Sequence, residues 1–172
     1  MRRSLASLTI LVLSTPVALS QSTVTLSPGV ELSIPVRDFA DEAGTGFGIS
    51  GRVQFSPSTG LGLMGTVGYL WWGSKSTVDA TSSYEALQTM GGLKLYVLKG
   101  VYALAEAGAY FMTSTSSLTW IETTASQTDA RLMFSAGAGG EIGSIEFEAK
   151  YSGSQYTREH TASVRIGYRF GL

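Results

Sequence analysis

The stretch that decides the fold is SVRIGYRFGL, residues 163–172. Apolar residues occupy every second position from Val164 to Leu172, and Arg165 and Arg169 lie on the alternate positions. Successive side chains of a β-strand point to opposite faces, so the pattern predicts a strand with one apolar and one charged face. Two settings produce such a strand. A soluble barrel turns its apolar face inward, whereas a membrane barrel turns it toward lipid.

The same alternation recurs through residues 21–172 and predicts eight strands. These are 26–36, 47–56, 61–72, 84–97, 101–112, 129–142, 145–153 and 161–172. Short links (57–60, 98–100 and 143–144) alternate with longer ones rich in Ser, Thr, Gly and Asp (37–46, 73–83, 113–128 and 154–160). Outer-membrane barrels have this organisation, with short periplasmic turns and longer external loops. We therefore predict an all-β fold, an eight-stranded antiparallel up-and-down transmembrane β-barrel, and an interior filled by its own side chains.

Apart from Glu85, at the loop end of the fourth predicted strand, the charged residues fall on the strand faces opposite the apolar ones. Five acids and five bases lie there, and a closed interior requires such a balance because an unpaired buried charge is costly. We predict a structural network of ion pairs in which Glu146 and Glu148 lie near Arg165 and Arg169. The predicted interior charges are Glu31, Arg52, Lys94, Glu106, Glu141, Glu146, Glu148, Lys150, Arg165 and Arg169.

Aromatic residues on the apolar faces gather near the strand ends, as expected of girdles at the two membrane interfaces. The predicted interfacial aromatics are Phe47, Phe55, Trp71, Phe111, Phe134, Phe147, Tyr151, Tyr168 and Phe170. Only 15% of the chain is charged, which is little for a protein whose polar face meets water. The membrane setting is therefore favoured over a secreted soluble barrel that carries a ligand.

The first twenty residues have the features of a secretory signal peptide. Arg2 and Arg3 precede a mostly apolar run over 5–13, Pro16 ends that run, and small residues stand before position 21. The run is too short to cross a bilayer as a helix. We predict a signal peptide at 1–20 and a barrel domain at 21–172.

Composition narrows the chemistry of the chain. The absence of Cys excludes disulfides, thiolate zinc sites and a Cys nucleophile. A net charge of −1 argues against a nucleic-acid-binding surface. His160 is the only histidine, and Ser163, with Glu159 nearby, is the candidate nucleophile. His160 and Ser163 have opposite strand parity, so their side chains should leave opposite faces and we predict no enzyme.

The first long link contains Asp38, Asp41 and Glu42, whose oxygens are weak candidate ligands for a cation. A solvated loop is the simpler interpretation, and we predict no metal and no cofactor. Near the predicted loop ends, Lys75, Arg131 and Arg158 could meet lipopolysaccharide phosphates, although ordinary surface charges explain them as well. Trp71, Trp72 and Trp120 are candidates for a ligand platform; girdle placement also explains Trp71, and the inward parity of Trp72 suits a cap on the barrel mouth.

The strand at 163–172 resembles the C-terminal signature of bacterial outer-membrane barrels, with Leu172 where an aromatic is usual. The segments GVELSIP (29–35), DF (38–39) and GTGFG (44–48) look like the opening hairpin of such proteins, and so does VGYL (67–70) on the third predicted strand. The resemblance is to the small OmpA-like/opacity-type outer-membrane β-barrel family. It implies that the barrel-assembly machinery recognises an assembly signal made of Val164, Ile166, Tyr168, Phe170 and Leu172.

The resemblance also sets expectations about function. That family includes anchoring proteins, adhesins, conduits for small molecules and a few lipid-modifying enzymes, so fold alone does not choose among them. We expect a monomeric, non-enzymatic barrel in the cell outer membrane, with surface loops for envelope integrity or surface contacts. The expected partners are outer-membrane lipid, lipopolysaccharide, and the periplasmic chaperones and assembly machinery. The alternatives are a narrow conduit or binder for small hydrophobic molecules, and a secreted ligand-carrying barrel.

Overall fold

The computed structural model describes residues 23–74, 80–118, 123–154 and 159–172. The predicted signal peptide lies outside the described residues, as do Lys75, Trp120 and Arg158. Within the described ranges, no helix is long and apolar enough to cross a membrane.

Antiparallel strands follow one another in chain order, with one short helix between the first two. The elements are β1 (Thr23–Val36), α1 (Phe39–Glu42), β2 (Ala43–Ser58), β3 (Leu61–Ser74), β4 (Ala80–Leu98), β5 (Val101–Leu118), β6 (Thr123–Ile142), β7 (Ile145–Gly153), β8 (His160–Tyr168) and β9 (Phe170–Gly171).

The sheet closes on itself because β1 pairs with β2 on one side and with β8 on the other. Glu31 is the register partner of Gly48 on β2 and of Arg165 on β8. Strand β9 continues the path of β8 beyond Arg169 and pairs with the start of β1. The predicted eight-stranded antiparallel barrel is therefore confirmed, with its last strand interrupted at one residue.

Three tight turns join the strands at one end of the barrel, which we call the turn end. They lie between β2 and β3, β4 and β5, and β6 and β7. Gly100 and Gly143 in the last two turns have φ of 76° and 59°, and glycine adopts this left-handed region without steric cost. Both ends of the described chain lie here too, so the longer connections are all at the opposite end, the loop end.

The long connections are shorter than the sequence predicts. Residues 113–128, expected as a loop, continue β5 to Leu118 and start β6 at Thr123, and the two strands stay in register from Thr113↔Thr128 to Leu118↔Thr123. The polar composition suggested a loop. However, Thr residues favour strands, and pairing of β5 with β6 provides hydrogen-bond partners for the backbone N–H and C=O groups. The two strands can therefore continue beyond the predicted boundary.

The first long connection contains α1, which the sequence did not predict. Arg37 adopts φ of 56° between β1 and α1, a left-handed conformation uncommon for a residue other than glycine. Hydrogen bonds from Ala40 N to Arg37 O (2.9 Å) and from Asp41 N to Asp38 O (3.1 Å) close the turn. As a result, Phe39 is buried against the loop end of the interior.

The two faces of the wall differ sharply in chemistry. Large apolar side chains point outward along every strand, including Val67 and Ile166, which are 56% and 46% exposed. Arg165 and Glu148 point inward and are 1% and 2% exposed. An apolar exterior around a charged interior is the arrangement of a transmembrane barrel rather than of a soluble one.

Candidate functional site

Arg52 on β2 lies at the centre of the interior and is fully buried. Its guanidinium forms a bidentate pair with Glu148 on β7, and Nη1 also donates to Glu146 Oε1 at 2.9 Å. On the other side, Nη2 donates to Glu106 Oε1 at 3.3 Å and Nε donates to Thr66 Oγ1 at 3.0 Å. One cation therefore connects β2 with β3, β5 and β7 across the barrel, and such bidentate, charge-assisted bonds are the strong ones.

Glu146 is shared by further donors on other strands. Lys94 on β4 donates to it, and the Tyr102 hydroxyl on β5 donates to Oε1 at 2.7 Å. The Lys94 ammonium also lies 4.1 Å from the centroid of the Tyr102 ring, within the range of a cation–π interaction. The Glu146 carboxylate is therefore neutralised by Arg52 and Lys94 rather than left as an isolated buried charge.

Arg165 on β8 donates hydrogen bonds to residues of β1 and β2 on the inner face of the wall. Its Nε donates to Ser50 Oγ at 2.8 Å, Nη2 donates to the Ser27 carbonyl at 2.6 Å, and Nη1 donates to Glu146 Oε2 at 3.3 Å. The sequence-based pairing of Glu146 with Arg165 is thus present in the structure. Glu148 pairs with Arg52 instead.

The pairing predicted for Arg169 is wrong. Arg169 lies near the turn end and pairs with Glu141 on β6 rather than with Glu146 or Glu148. The Tyr96 hydroxyl also donates to Glu141, at 2.7 Å. The difference arises because residue 169 falls in the break between β8 and β9, one strand-step beyond the ladder shared with β7.

A sparser layer lies toward the loop end. The Lys150 ammonium is 3.5 Å from carboxylate oxygens of both Glu31 and Glu106. Gln88 donates to Glu31 at 3.4 Å and accepts from the Tyr110 hydroxyl at 2.7 Å. The structure therefore places the predicted interior charges on the inner face. They form one connected set of ion pairs, from Glu31 near the loop end to Glu141 and Arg169 near the turn end.

Above that layer the interior becomes apolar, which the sequence did not predict. We call this group the mouth cluster. Trp72 is 2% exposed, its indole Nε1–H donates to Ser33 Oγ at 3.2 Å, and Phe39 packs edge-on against it with ring centroids 5.7 Å apart. The mouth cluster consists of Phe39, Ala43, Leu70, Trp72, Ala86, Met90, Tyr110, Met112 and Met133.

A sequence signal for the mouth cluster did exist. Met90, Met112 and Met133 share strand parity with the interior charges, so they could have been assigned to the lumen one by one. What parity could not reveal is that they meet at one level. Two glycines make room for rings of the interior: a Cβ on Gly46 would clash with the Trp72 ring, and one on Gly139 would clash with the Tyr102 ring.

The predicted interfacial aromatics all point outward and are between 39% and 54% exposed. Phe47 stacks on Trp71 near the loop end, and Tyr168 packs on Phe170 near the turn end, with ring centroids 6.2 Å and 4.7 Å apart. Two outward aromatic groups, one toward each end, are thus separated by an aliphatic band.

The loop-end candidates do not form a catalytic or metal site within the described residues. Ser163 is buried on the inner face, whereas His160 lies on the outer face and its Nδ1 is 3.0 Å from the Tyr151 hydroxyl. Asp38, Asp41 and Glu42 are exposed, and the described residues contain no cluster of three side chains able to hold a metal ion. Within the described residues, these three carboxylates are therefore not gathered into one cation-binding cluster. Glu159 pairs with Arg131.

The geometry defines a class, the eight-stranded transmembrane β-barrel with an interior of paired charges. Comparison of the sequence with protein families gives no match, and comparison with curated proteins gives none either. Solved structures do match in fold. Ail, the attachment invasion locus protein of Yersinia pestis, solved in complex with the heparin analogue sucrose octasulfate, matches with a TM-score of 0.64 at 16% identity, over 88% of this chain and 100% of that chain.

Two further structures support the same class. Neisserial surface protein A matches with a TM-score of 0.57 at 10% identity, over 89% of this chain and 100% of that chain. A de novo designed transmembrane β-barrel matches with a TM-score of 0.50 at 19% identity, over 86% of this chain and 95% of that one. The chain has the fold of the small outer-membrane β-barrels.

Proposed function

We propose that this protein is a non-enzymatic outer-membrane barrel of the OmpA-like/opacity type, closed to solutes, whose loop end makes contacts at the cell surface. The single observation that carries the proposal is the difference between the buried interior of the barrel and the polar sheet that extends from its loop end. The ion-pair network and the mouth cluster are buried inside the barrel, while the strands on one side continue past the rim as a polar sheet.

The extended sheet is the element best suited to surface contact. Strands β4, β5 and β6 have 19, 18 and 20 residues, whereas β7 and β8 have nine each. From Thr113 to Leu118 the β5–β6 hairpin adds roughly 20 Å at about 3.3 Å per residue. Within the described residues, β6 pairs with β7 only from Phe134 onward and no strand pairs with the outer part of β6 on that side. An extended partner segment could add to such an edge.

Charge at the loop end favours a partner other than a polyanion. In the described part of this end, Asp38, Asp41 and Glu42 are exposed alongside one exposed cation, Arg37, and Arg131 is paired with Glu159 and Asp129. Ail was solved with a heparin analogue, but we expect this chain to bind such a sulfated ligand weakly, because like charges repel it.

The proposal is tested on the refolded protein. Folding in detergent should give a heat-modifiable shift in gel mobility, and planar bilayers containing the protein should show no steady conductance. A steady, size-selective conductance would favour the alternative of a narrow conduit and would contradict the filled interior.

The surface role is tested by shortening the hairpin. Replacing residues 114–127 by Asn-Gly keeps the Thr113↔Thr128 register and supplies a two-residue hairpin turn. We expect the variant to refold with unchanged heat-modifiability. Cells displaying it should adhere to host-cell or matrix surfaces about as poorly as cells without the protein. Undiminished adhesion by the variant would locate the contact elsewhere.

A further inference from the structure

A groove crosses the outer wall of the barrel over β1, β2, β3 and β8. Its volume is about 810 Å³, and it is open to the outside rather than enclosed. The groove lies where Gly51 faces outward between the larger side chains of Val30, Ile49 and Val67. A Cβ on Gly51 would meet nothing within 4 Å, so the space beside it is open.

Beside the loop end of this groove, at the level of the loop-end aromatic group, a charged residue, Glu85, lies on the outer face. Glu85 has the same outward parity as Leu87, and Trp71 is its register partner on β3. The Tyr69 hydroxyl, from a residue that lines the groove, donates to Glu85 Oε2. No described cation pairs with Glu85. A carboxylate on a lipid-facing wall is unfavourable unless something at the interface compensates its charge.

The surroundings of Glu85 suit a cation that can also donate hydrogen bonds. The Trp71 ring packs against the Tyr69 ring with centroids 4.7 Å apart, and Phe47 stacks on Trp71 from the neighbouring strand. Aromatic faces beside a carboxylate attract an ammonium group through cation–π and charge interactions together. An anionic headgroup would be repelled by the same carboxylate.

We propose that the groove binds one lipid whose headgroup carries a primary ammonium. The ammonium pairs with Glu85 beside Tyr69 and Trp71, and an acyl chain lies along the groove over Gly51. The proposal rests on the proposed function, in which this wall faces lipid. It assigns a specific lipid to one part of the wall, whereas the remaining outer face is covered by bulk lipid.

The test uses the refolded protein in detergent with an equimolar mixture of phosphatidylethanolamine, phosphatidylcholine and phosphatidylglycerol with identical chains. Native mass spectrometry counts the lipids retained. We expect one phosphatidylethanolamine to be retained in preference to the other two. Glu85→Gln keeps the shape and the acceptor for Tyr69 but removes the charge, and should lower that retention about fivefold, as expected for loss of a partly exposed ion pair.

Two further variants separate headgroup from groove. Asp41→Asn removes an exposed carboxylate away from the groove and should leave retention unchanged. Gly51→Leu fills the open space and should reduce retention of all three lipids. Equal retention of the three lipids by the unaltered protein, or unchanged retention by Glu85→Gln, overturns the proposal.

Other occupants give distinct results that also overturn the lipid proposal. Retention of phosphatidylglycerol that depends on added Mg²⁺ would indicate a cation-bridged anionic lipid, and a dimer mass lost in Gly51→Leu would indicate a second copy of the chain. Every sample is first checked for heat-modifiable mobility. Absence of that shift in the unaltered protein would contradict the proposed membrane function, whereas its presence without lipid preference contradicts this inference alone.

Discussion

Arg52 shows how much of the interior depends on a single side chain. It is fully buried and contacts the carboxylates of Glu106, Glu146 and Glu148. Strand parity in the sequence is enough to place Arg52 and these carboxylates on the inner face. Parity cannot give the pairing, because Arg52 and Glu148 are 96 residues apart and meet across the lumen rather than along a ladder.

Replacing Arg52 by Met keeps most of the aliphatic volume but leaves three buried carboxylates short of a cation. Removing one partner of a buried pair costs about 3–5 kcal/mol, so we expect the free energy of unfolding to fall by that order. Urea unfolding from lipid vesicles, followed by tryptophan fluorescence, measures it. Lys99→Ala removes an exposed charge in a turn and serves as the control. A loss no larger than in that control would show that the network does not support the fold.

Among the secondary-structure elements, α1 is the one that could not be predicted from the sequence. Four residues are too few to give a helical period, and the surrounding Asp and Gly residues predicted only a loop. Tertiary contact determines this element, because Phe39 inserts between Trp72 and Tyr84. By contrast, β1, β3 and β7 were predictable within a few residues, since each has a clear two-residue alternation bounded by turn residues.

The same argument predicts the effect of Phe39→Ala. Loss of the ring removes the contact that holds α1 on the mouth cluster, and large-to-small changes at buried aromatics cost about 3–5 kcal/mol. We expect amide hydrogen exchange over 37–46 to rise at least about tenfold, because local opening becomes easier. Bilayer conductance should stay absent, because the proposed closure of the lumen also depends on the ion-pair network below the mouth cluster, which this substitution leaves in place.

Phe47→Ala is the matched control for Phe39→Ala. Phe47 is also an aromatic at the loop end, but it is 54% exposed on the outer face, so its loss should leave the exchange of 37–46 nearly unchanged. Equal acceleration in the two variants would mean that Phe39 does not hold the mouth closed. Steady conductance in Phe39→Ala would mean that the mouth cluster, rather than the charged layers, is the barrier.

For the molecule as a whole, the orientation of the wall is the property on which localisation and function depend. The sequence allowed two orientations of the same strands, and the shortage of charge on the polar face favoured the membrane one. The structure shows why a water-soluble alternative fails: inverting the faces would expose few charges and would place large residues such as Phe111 and Phe134 in a lumen that eight strands leave only wide enough for side chains.

This orientation predicts a depth-dependent penalty for charge on the outer wall. Ala107 points outward midway along β5, and Ser83 points outward on β4 beyond the level of Trp71. We expect Ala107→Arg to lower the free energy of unfolding from phosphatidylcholine vesicles by about 2–4 kcal/mol, and Ser83→Arg to lower it by about 0–1 kcal/mol. Equal penalties at the two positions would contradict the lipid-facing wall. A penalty confined to Ala107→Arg is explained only if the middle of that wall, and not its loop end, lies in hydrocarbon.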